Sequence, residues 1–486
     1  MTYLDLPISE IHAALMAKKV TPLELVKEAL ARAKADKDNC FELILEESAI
    51  AKAESLGEPQ DNPFWGIPYI AKDNFSTKDF ETTGSSNILN GYVPLFNATV
   101  IEKLDNAGAI LIAKSTLDEL AMGGTGTTGH KGITYNSYDK EHNHLVGGSS
   151  CGSASATASG VVPFSLGSDT GDSVRKPASN VGLVGFKPSW GRISRYGLFP
   201  FAPSLDHVAY FTRNVEDAAL ALTLLSGHDD NDMTSSYKEV EDYSKYLSKD
   251  AKGFKVAIIK NVLDSISDKT IKEKFLETCN SLKERGICVD FVEIDEDLLK
   301  AIYPTYIVIS CAEATSNNAN LDGIKFGPRY EGDTYQEVMK KARTNGFSEL
   351  IRRRFVIGSY ALMRENQEEL FLRAQKVRRI IVNKVNDILK EYDFIYLPAS
   401  PTPAPLIKGS SDKLSNEYLI ADNHLAIANF AGLPSITLPI GFENGLPFGG
   451  NITGRAFEEG NVLAVAKTLE DITGLKGLSV LNKEDR

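Results

Sequence analysis

A chain of 486 residues with 53 Lys and Arg against 65 Asp and Glu has a formal net charge of −12 at pH 7. This acidic balance argues against nucleic-acid binding over the whole surface, although a partner protein could still hold a nucleic-acid substrate. Hydrophobic residues make up 42% of the chain, enough for a full core, yet no apolar run approaches the roughly 20 residues that span a bilayer.

The cysteine and histidine patterns predict neither a disulfide framework nor a metal site. The five cysteines are scattered and without CxxC spacing, and the seven histidines show no HExxH or comparable ligand pattern. The N-terminus lacks the charged start and apolar block of a secretory signal. Together these features favour a protein of the reducing cytoplasm with no metal of its own.

The first half of the chain predicts helices that alternate with short buried strands. Thr21 can cap a helix, Pro22 suits its first turn and Glu24 completes a capping box, so a helix should begin there. Short apolar runs bounded by glycines and polar residues are expected to form buried strands. These runs are 66–71, 109–114, 161–166 and 181–186.

The second half continues the alternation after a polar surface excursion at about 229–250. The strands expected here are 254–260, 287–294, the start of 394–405, 431–441 and 447–454. The expected helices are 213–227, about 268–285, 335–344, 347–390 and 458–471. This order predicts an α/β fold with a parallel or mixed central sheet, and no linker forces a boundary within residues 1–486.

Residues 147–191 are unusually rich in glycine and serine, yet they also contain two of the apolar runs. Flexible linkers do not alternate with hydrophobic strands, so this segment is interpreted as part of the core. Small residues beside buried strands leave backbone N–H groups free to face a ligand. The serine pair Ser149-Ser150, then Ser173 followed by Arg175, indicates a catalytic or anion-holding loop system.

Serine catalysis requires a base within hydrogen-bond reach of the hydroxyl. No histidine lies between residues 147 and 206, and Lys72, at the end of the apolar run 66–71, is the better candidate. Burial would favour its neutral amine, which can accept a proton. Taken alone, however, Lys72 is more simply interpreted as an exposed lysine at the end of a strand.

A competing interpretation uses the sequence GSSCG at 148–152, which fits the G-x-S-x-G pattern of an α/β-hydrolase elbow. Ser150 would then be the nucleophile, and Asp422 with His424 would be the only suggestive acid and base. Two residues apart on a helix, Asp422 and His424 would point in different directions, which disfavours this reading.

Three motifs in order carry a more specific signal. The segments GIPYIAKDN (66–74), GGSSCGSA (147–154) and GSDTGDSVRKPAS (167–179), followed by VGFKP, resemble the amidase signature family. The resemblance implies one α/β domain with a large mixed central sheet sandwiched by helices. It also implies that Ser173 is the acyl-forming nucleophile, that Ser149, matching a cis-peptide serine, relays the proton, and that Lys72 is the terminal base.

The same resemblance implies an oxyanion hole formed by the backbone N–H groups of Thr170, Gly171, Asp172 and Ser173. Two departures from the family pattern lie close by, because Asp172 and Cys151 stand where the family usually has glycine. The Asp172 carboxylate is therefore expected to point away from the oxyanion. The Cys151 thiol, so near Ser149, is expected to be open to thiol reagents.

Within the family, the closer likeness is to the glutamine-hydrolysing subunits of tRNA-dependent amidotransferases. It is carried by stretches such as EATSNNANLDGIKFG, RRRFVIGSYAL and NFAGLPSITLPIG. It implies that Arg354 binds the glutamine α-carboxylate, that Asp422 binds its α-amino group and that Tyr306 lines the pocket. Arg352 and Arg353 remain alternatives to Arg354.

This closer likeness also implies partners. Ammonia would pass to a partner subunit that amidates Glu-tRNA(Gln) or Asp-tRNA(Asn), within a complex of subunits B and C, and the tRNA would be held mainly by the partner. ATP and Mg²⁺ would belong to the partner, with no cofactor on this chain. The alternatives are a stand-alone amidase acting on small carboxamides and an inactive scaffold for partner subunits.

Overall fold

In the computed structural model, which describes residues 2–409 and 413–481, the chain folds around one large β-sheet. Eleven strands join this sheet within the described residues. They are β1 (Phe41–Ile44), β2 (Pro68–Lys72), β3 (Ile110–Ser115), β4 (Phe164–Asp169), β5 (Val184–Lys187), β6 (His207–Thr212), β7 (Lys255–Ile259), β8 (Cys288–Val292), β9 (Phe394–Pro398), β10 (Ser435–Glu443) and β11 (Leu446–Gly454).

The strand order is β1-β3-β2-β4-β6-β5-β10-β11-β9-β7-β8. Parallel pairs join β3 to β2 and β2 to β4 near one edge, and β9 to β7 and β7 to β8 at the other. Antiparallel pairs, including β4 with β6, fill the centre. The sheet is therefore mixed, as predicted, and the parallel neighbours β2 and β4 bring their C-terminal ends to the same edge.

Helices cover the sheet and enclose a core that draws on both halves of the chain. Within the described residues the α-helices are α1 (Ile8–Met16), α2 (Pro22–Lys34), α3 (Glu46–Ser55), α4 (Thr99–Asn106), α5 (Cys151–Ala158), α6 (Arg175–Asn180), α7 (Val215–Leu225), α8 (Lys260–Asp264), α9 (Lys269–Glu284), α10 (Glu296–Lys300), α11 (Ile302–Asn317), α12 (Tyr335–Gly346), α13 (Glu349–Leu362), α14 (Arg373–Glu391), α15 (Ala426–Ala431) and α16 (Glu459–Thr473). None of these helices has the length and apolar character needed to cross a membrane.

Local signals in the sequence account for several helix ends. The Thr21 hydroxyl accepts from the Glu24 N–H, and the Glu24 carboxylate accepts from the Thr21 N–H, so the predicted capping box starts α2. Helix α7 is capped by Asn214, whose side chain accepts from the Asp217 N–H. Such caps satisfy N–H groups that the first helical turn leaves unpaired.

The single helix predicted over 347–390 is wrong. Helix α13 ends at Leu362, and α14 begins at Arg373 after a π-helical turn at Glu368–Leu372. The Asn366 side chain donates to the Tyr360 carbonyl at 3.1 Å, so it satisfies a carbonyl at the end of α13. The break turns the chain so that α13 and α14 both pack on α11.

Candidate active site

Lys72 is the last residue of β2 and is fully buried. Its Nζ atom lies 2.7 Å from the Ser149 Oγ and 2.9 Å from the Ser150 Oγ. The Ser168 Oγ, on neighbouring β4, is also 2.9 Å away. Lys72 is therefore not an exposed lysine at the end of a strand, because three serine hydroxyls surround its amine.

Burial lowers the pKa of Lys72 to about 7, because an ammonium group loses its hydration away from water. The nearby acidic groups, Asp118 and Asp169 among them, oppose this shift only in part. A substantial fraction of Lys72 is therefore neutral near pH 7. That is the condition for a lysine to act as a general base.

Ser149 follows a cis peptide bond from Gly148. A Cβ atom at Gly148 would come within 2.0 Å of the Asp118 carboxylate, so only glycine fits there. The Asp118 N–H also donates to the Ser149 carbonyl at 3.1 Å. The Asp118 segment thus packs directly against the backbone that presents Ser149.

Asp118 is a buried residue that the sequence analysis missed. Its carboxylate accepts backbone N–H groups from four successive residues of the following loop, at 2.9–3.1 Å, and the Thr128 hydroxyl at 2.8 Å. Charge-assisted bonds of this kind are about twice as strong as neutral ones. Asp118 therefore fixes the glycine-rich loop 123–128 beside Ser149.

The turn after β4 carries Ser173, which is 3% exposed. The Ser150 N–H donates to the Ser173 carbonyl at 3.2 Å, which places the two serine segments side by side. Within residues 2–409 and 413–481, no acceptor binds the backbone N–H groups of Gly171, Asp172 or Ser173. Three unpaired donors on one turn are suited to stabilise an oxyanion.

Two further contacts hold this turn in place. The Thr170 hydroxyl donates to the Asp206 carboxylate at 2.7 Å, and Asp206 also accepts the Phe201 and Ala202 N–H groups. A Cβ atom at Gly171 would come within 3.0 Å of the Tyr306 ring on α11, so the ring packs directly on the turn. Tyr306 therefore contacts the turn that carries Ser173, and its role in lining a glutamine pocket stays a prediction.

Arg175 does not offer its guanidinium to a ligand, contrary to the anion-holding role considered for it. It is fully buried, and its Nε and Nη2 atoms donate to the two Asp169 carboxylate oxygens at 3.1 and 2.9 Å. Its remaining donors contact the Gly171 and Leu425 carbonyls and the Asn429 side chain. The guanidinium also holds the pKa of Asp169 well below its usual range, despite burial.

Arg354 on α13 points inward, whereas Arg352 and Arg353 are exposed. Arg353 pairs with Glu349 on the surface, one helical turn away. The Arg354 guanidinium lies 5.7 Å from the Phe201 ring, and its Nη1 atom is buried with no hydrogen-bond partner among the described residues. Of the three arginines, Arg354 is thus the one with a buried donor left unpaired within the described residues, and its role in binding an anion stays a prediction.

Asp422 follows a π-helical turn at Glu417–Ala421, and its carboxylate lies 3.1 Å from the Lys176 Nζ. The same Nζ lies 2.9 Å from the Asp172 carboxylate. Asp172 and Asp422, both predicted as site residues, are thus joined through a lysine that the sequence analysis did not single out. The Asp172 carboxylate is turned toward Lys176.

The hydroxyls of Ser149 and Ser173 share no hydrogen bond within the described residues, although their segments are adjacent. The structure therefore brings together Lys72, Ser149 and the Ser173 turn. A hydrogen bond between the Ser149 and Ser173 hydroxyls is the one contact still needed to connect Lys72 to Ser173. Catalytic hydrogen bonds are often long in unliganded enzymes and shorten when substrate binds.

Residues 24–463 match the model of a protein family described as Amidase. The chain belongs to the amidase family. Among its relatives, the A subunit of the glutamyl-tRNA(Gln) amidotransferase of Pediococcus pentosaceus is 37% identical over 97% of this chain and 98% of its own length. The protein of the same name from Staphylococcus epidermidis is 39% identical over 95% of this chain and 96% of its own.

A solved member of the amidase family has the same architecture. The crystal structure of the glutamyl-tRNA(Gln) amidotransferase A subunit from Thermotoga maritima superposes with a TM-score of 0.79 at 35% identity, covering 97% of this chain and 95% of that chain. The resemblance to the amidase signature family, and the large mixed sheet that it implied, are thereby confirmed.

The two departures from the amidase pattern have different consequences. Asp172 does not adopt a positive φ, so an aspartate fits the backbone there without left-handed strain. Cys151, the first residue of α5, is 1% exposed, and burial raises the pKa of its thiol to about 12. The expectation that Cys151 reacts with thiol reagents is therefore wrong, because a buried neutral thiol is inert.

The α/β-hydrolase reading of Ser150 finds no histidine base supported by an acid. The His424 Nδ1 atom lies 2.9 Å from the Ala421 carbonyl, and Asp422 pairs with Lys176 rather than with His424. The Ser150 hydroxyl contacts Lys72 and the Ser168 carbonyl instead.

Within the described residues, no group of three His, Cys, Asp or Glu side chains is arranged to hold a metal ion.

Proposed function

We propose that this chain is the glutamine-hydrolysing subunit of a tRNA-dependent amidotransferase, in which Lys72, Ser149 and Ser173 form the catalytic set. The observation that carries the proposal is the 2.7 Å contact of the buried Lys72 amine with Ser149, beside the unpaired N–H groups of the Ser173 turn. The near full-length likeness to the A subunits of glutamyl-tRNA(Gln) amidotransferases supports the choice of reaction.

In the proposed reaction, neutral Lys72 accepts a proton from Ser149, which accepts one from Ser173 as the Ser173 Oγ attacks the carboxamide carbon. The N–H groups of Gly171, Asp172 and Ser173, with that of Thr170, stabilise the oxyanion. The C–N bond then breaks, and the proton returns through Ser149 to the leaving ammonia. Water hydrolyses the resulting ester, releasing glutamate and regenerating Ser173.

Substrate binding in this proposal uses two charges of opposite sign. The unpartnered Nη1 of Arg354 would bind the glutamine α-carboxylate, and Asp422 would bind the α-amino group, with Tyr306 between the turn and the pocket. A zwitterion buried in this way finds a partner for each charge, which offsets the cost of desolvation.

The partners in the proposal are amidotransferase subunits B and C. The acidic net charge of −12 supports the view that misacylated tRNA is held mainly by one of these partners. We assign ATP and Mg²⁺ to that partner as well, and place the complex in the cytoplasm.

The test is ammonia release from glutamine by the purified chain, alone and as a complex with co-expressed partner subunits and charged tRNA. Strong stimulation by the partners and tRNA is expected, because a glutaminase that feeds a second site must be coupled to it. Equal turnover by the chain alone, on small carboxamides as readily as on glutamine, would instead indicate a stand-alone amidase. Absence of glutamine hydrolysis by the assembled complex would overturn the proposal.

Arg354→Ala is expected to raise the glutamine KM by about 10²-fold with a smaller change in kcat. The substitution removes the guanidinium that would bind the α-carboxylate in both ground and transition states, a loss of about 1.5–3 kcal/mol for a charged hydrogen bond. Steady-state kinetics of the complex measures the effect.

Arg353→Ala is the matched control, because Arg353 lies beside Arg354 on α13 but faces solvent and pairs with Glu349. Its kinetics should be those of the unmodified protein. If Arg353→Ala and Arg354→Ala raised KM equally, the assignment of the α-carboxylate to Arg354 would fail.

A further inference from the structure

Lys176 lies between two carboxylates, those of Asp172 and Asp422. Its Nζ atom is 2.9 Å from the Asp172 Oδ2, 3.1 Å from the Asp422 Oδ1 and 2.6 Å from the Asp422 carbonyl oxygen. Asp172 stands four residues before Lys176, and its carbonyl accepts the Lys176 N–H at 2.9 Å, so one helical turn sets their spacing. These contacts define the Asp172–Lys176–Asp422 triad.

The triad is partly buried, so its charges interact more strongly with one another than they would in water. The side chains of Lys176, Asp172 and Asp422 are 13%, 23% and 32% exposed. Burial raises the pKa of Asp172 and the Lys176 ammonium opposes that shift, so the lysine favours the ionised carboxylate. Two carboxylates with one ammonium carry a net charge of −1, which leaves the triad able to accept one more cation.

Each carboxylate borders a different part of the proposed chemistry. Asp172 directly precedes Ser173, and its N–H group is one of those that stabilise the oxyanion in the proposed reaction. Asp422 is the proposed partner of the substrate α-amino group. The Lys176 Nζ donates to the Oδ1 atom and to the carbonyl oxygen of Asp422. A single lysine therefore contacts both the oxyanion turn and the substrate-binding carboxylate.

We propose that Lys176 is a positioning and specificity-determining residue: it holds the Asp172 carboxylate away from the oxyanion, and it shares Asp422 with the substrate α-ammonium group. The proposal rests on the function proposed above and identifies a residue that tunes it. Without Lys176, the Asp172 carboxylate would stand unpaired beside a developing negative charge. With Lys176, Asp422 holds the α-ammonium less tightly than an unshared aspartate would, because two cations repel.

Substitution of Lys176 alone should therefore affect kcat and the glutamine KM differently. In Lys176→Gln the unpaired Asp172 opposes the oxyanion, so kcat should fall by about tenfold or more. The glutamine KM should not rise, because Asp422 is no longer shared. In the double variant Asp172→Gly with Lys176→Gln, the opposing carboxylate is gone, so kcat should return to within about threefold of the unmodified complex while KM falls severalfold.

The experiment is this double-mutant cycle in the complex with co-expressed partner subunits, using glutamine and the glutamine analogue that lacks the α-amino group. The analogue makes no ionic contact with Asp422, so its KM should be insensitive to Lys176→Gln. Lys176→Arg, which keeps the charge, should retain most of kcat. The matched control is Lys260→Gln, since Lys260 forms a similar ion pair at 2.9 Å with Asp264 on the exposed surface of α8.

A second readout does not depend on glutamine. A fluorophosphonate probe that labels Ser173 places its phosphoryl oxygen in the oxyanion hole, so Lys176→Gln should slow labelling by about tenfold and the double variant should restore it. If labelling follows this pattern but no variant hydrolyses glutamine, the positioning role stands and the proposed function fails. The role of Lys176 is overturned if glutamine is hydrolysed but Lys176→Gln changes neither kcat nor the labelling rate. It is also overturned if the effects of Lys176→Gln and Asp172→Gly simply add in the double variant.

Discussion

Ser173→Ala is expected to reduce glutamine hydrolysis by the assembled complex by about 10⁴-fold or more. The Ser173 Oγ is the atom that would form the acyl-enzyme bond, and alanine offers no substitute for it, since nucleophile, relay and base act as a unit. The residual rate would come from substrate positioning and the oxyanion N–H groups, which the substitution leaves in place. Ammonia release under saturating glutamine measures the loss.

The matched control for Ser173→Ala is Ser55→Ala at the exposed end of α3, which should leave the rate unchanged. Labelling by the fluorophosphonate probe should disappear in Ser173→Ala and persist in Ser55→Ala. Because Ser173 to Ala removes one oxygen from a well-packed turn, both variants should assemble with the partner subunits. A Ser173→Ala complex that keeps full activity would mean that another residue is the nucleophile.

Lys72→Met is expected to lower kcat/KM by about 10³-fold, within the range that a general base contributes. Methionine fills a similar volume in the buried position but cannot accept the Ser149 proton across the 2.7 Å contact. The measurement is glutamine hydrolysis, accompanied by thermal unfolding to show that the variant is folded. A loss under tenfold in a folded Lys72→Met complex would exclude Lys72 as the base.

The dependence of kcat/KM on pH tests whether the neutral form of Lys72 is the active base. Because burial lowers the pKa of Lys72 to about 7 and the neutral amine is the active form, kcat/KM should rise as pH rises and level off above about 7. The rising limb should be absent from the residual activity of Lys72→Met. A rate that instead falls as pH rises through 7 would contradict a lysine base.

The residues of the proposed catalytic set stood out in the sequence because each member belongs to a compact motif. Lys72 ends an apolar run that becomes β2, and Ser149 and Ser173 lie in the glycine-rich and serine-rich segment that flanks β4. Strands of this kind are local signals, and their parallel pairing brings their ends together. The environment of Lys72 was the part that only the structure could settle, since a lysine at the end of a strand can be buried or exposed.

Side-chain direction limited the prediction of the substrate-binding residues. Arg352, Arg353 and Arg354 are adjacent in sequence, and which of them faces inward depends on how α13 packs against α11.

The break between α13 and α14 was also missed. Both helices have strong helical composition, and no proline or glycine marks the capping contact of Asn366 in the sequence.

The structural roles of the residues that support the site were missed for a different reason. Asp118 holds its loop through backbone N–H groups, which are the same for every residue type and leave no pattern in the sequence. Arg175 reaches Asn429, 254 positions away, so nothing near either residue reveals the contact. Lys176 was overlooked because a lysine after an arginine is ordinarily a solvated surface residue.

The contact between Arg175 and Asn429 has a consequence for the newly synthesised chain. Lys72, Ser149 and Ser173 all lie within the first half of the chain, but the turn that holds Ser173 is tied through Arg175 to Leu425 and Asn429 in the last fifth. Until that late segment has been made, the buried guanidinium lacks those partners and the turn lacks some of the contacts that hold it. A nascent or prematurely terminated chain that already contains every proposed catalytic residue would therefore remain without hydrolytic activity in the cell.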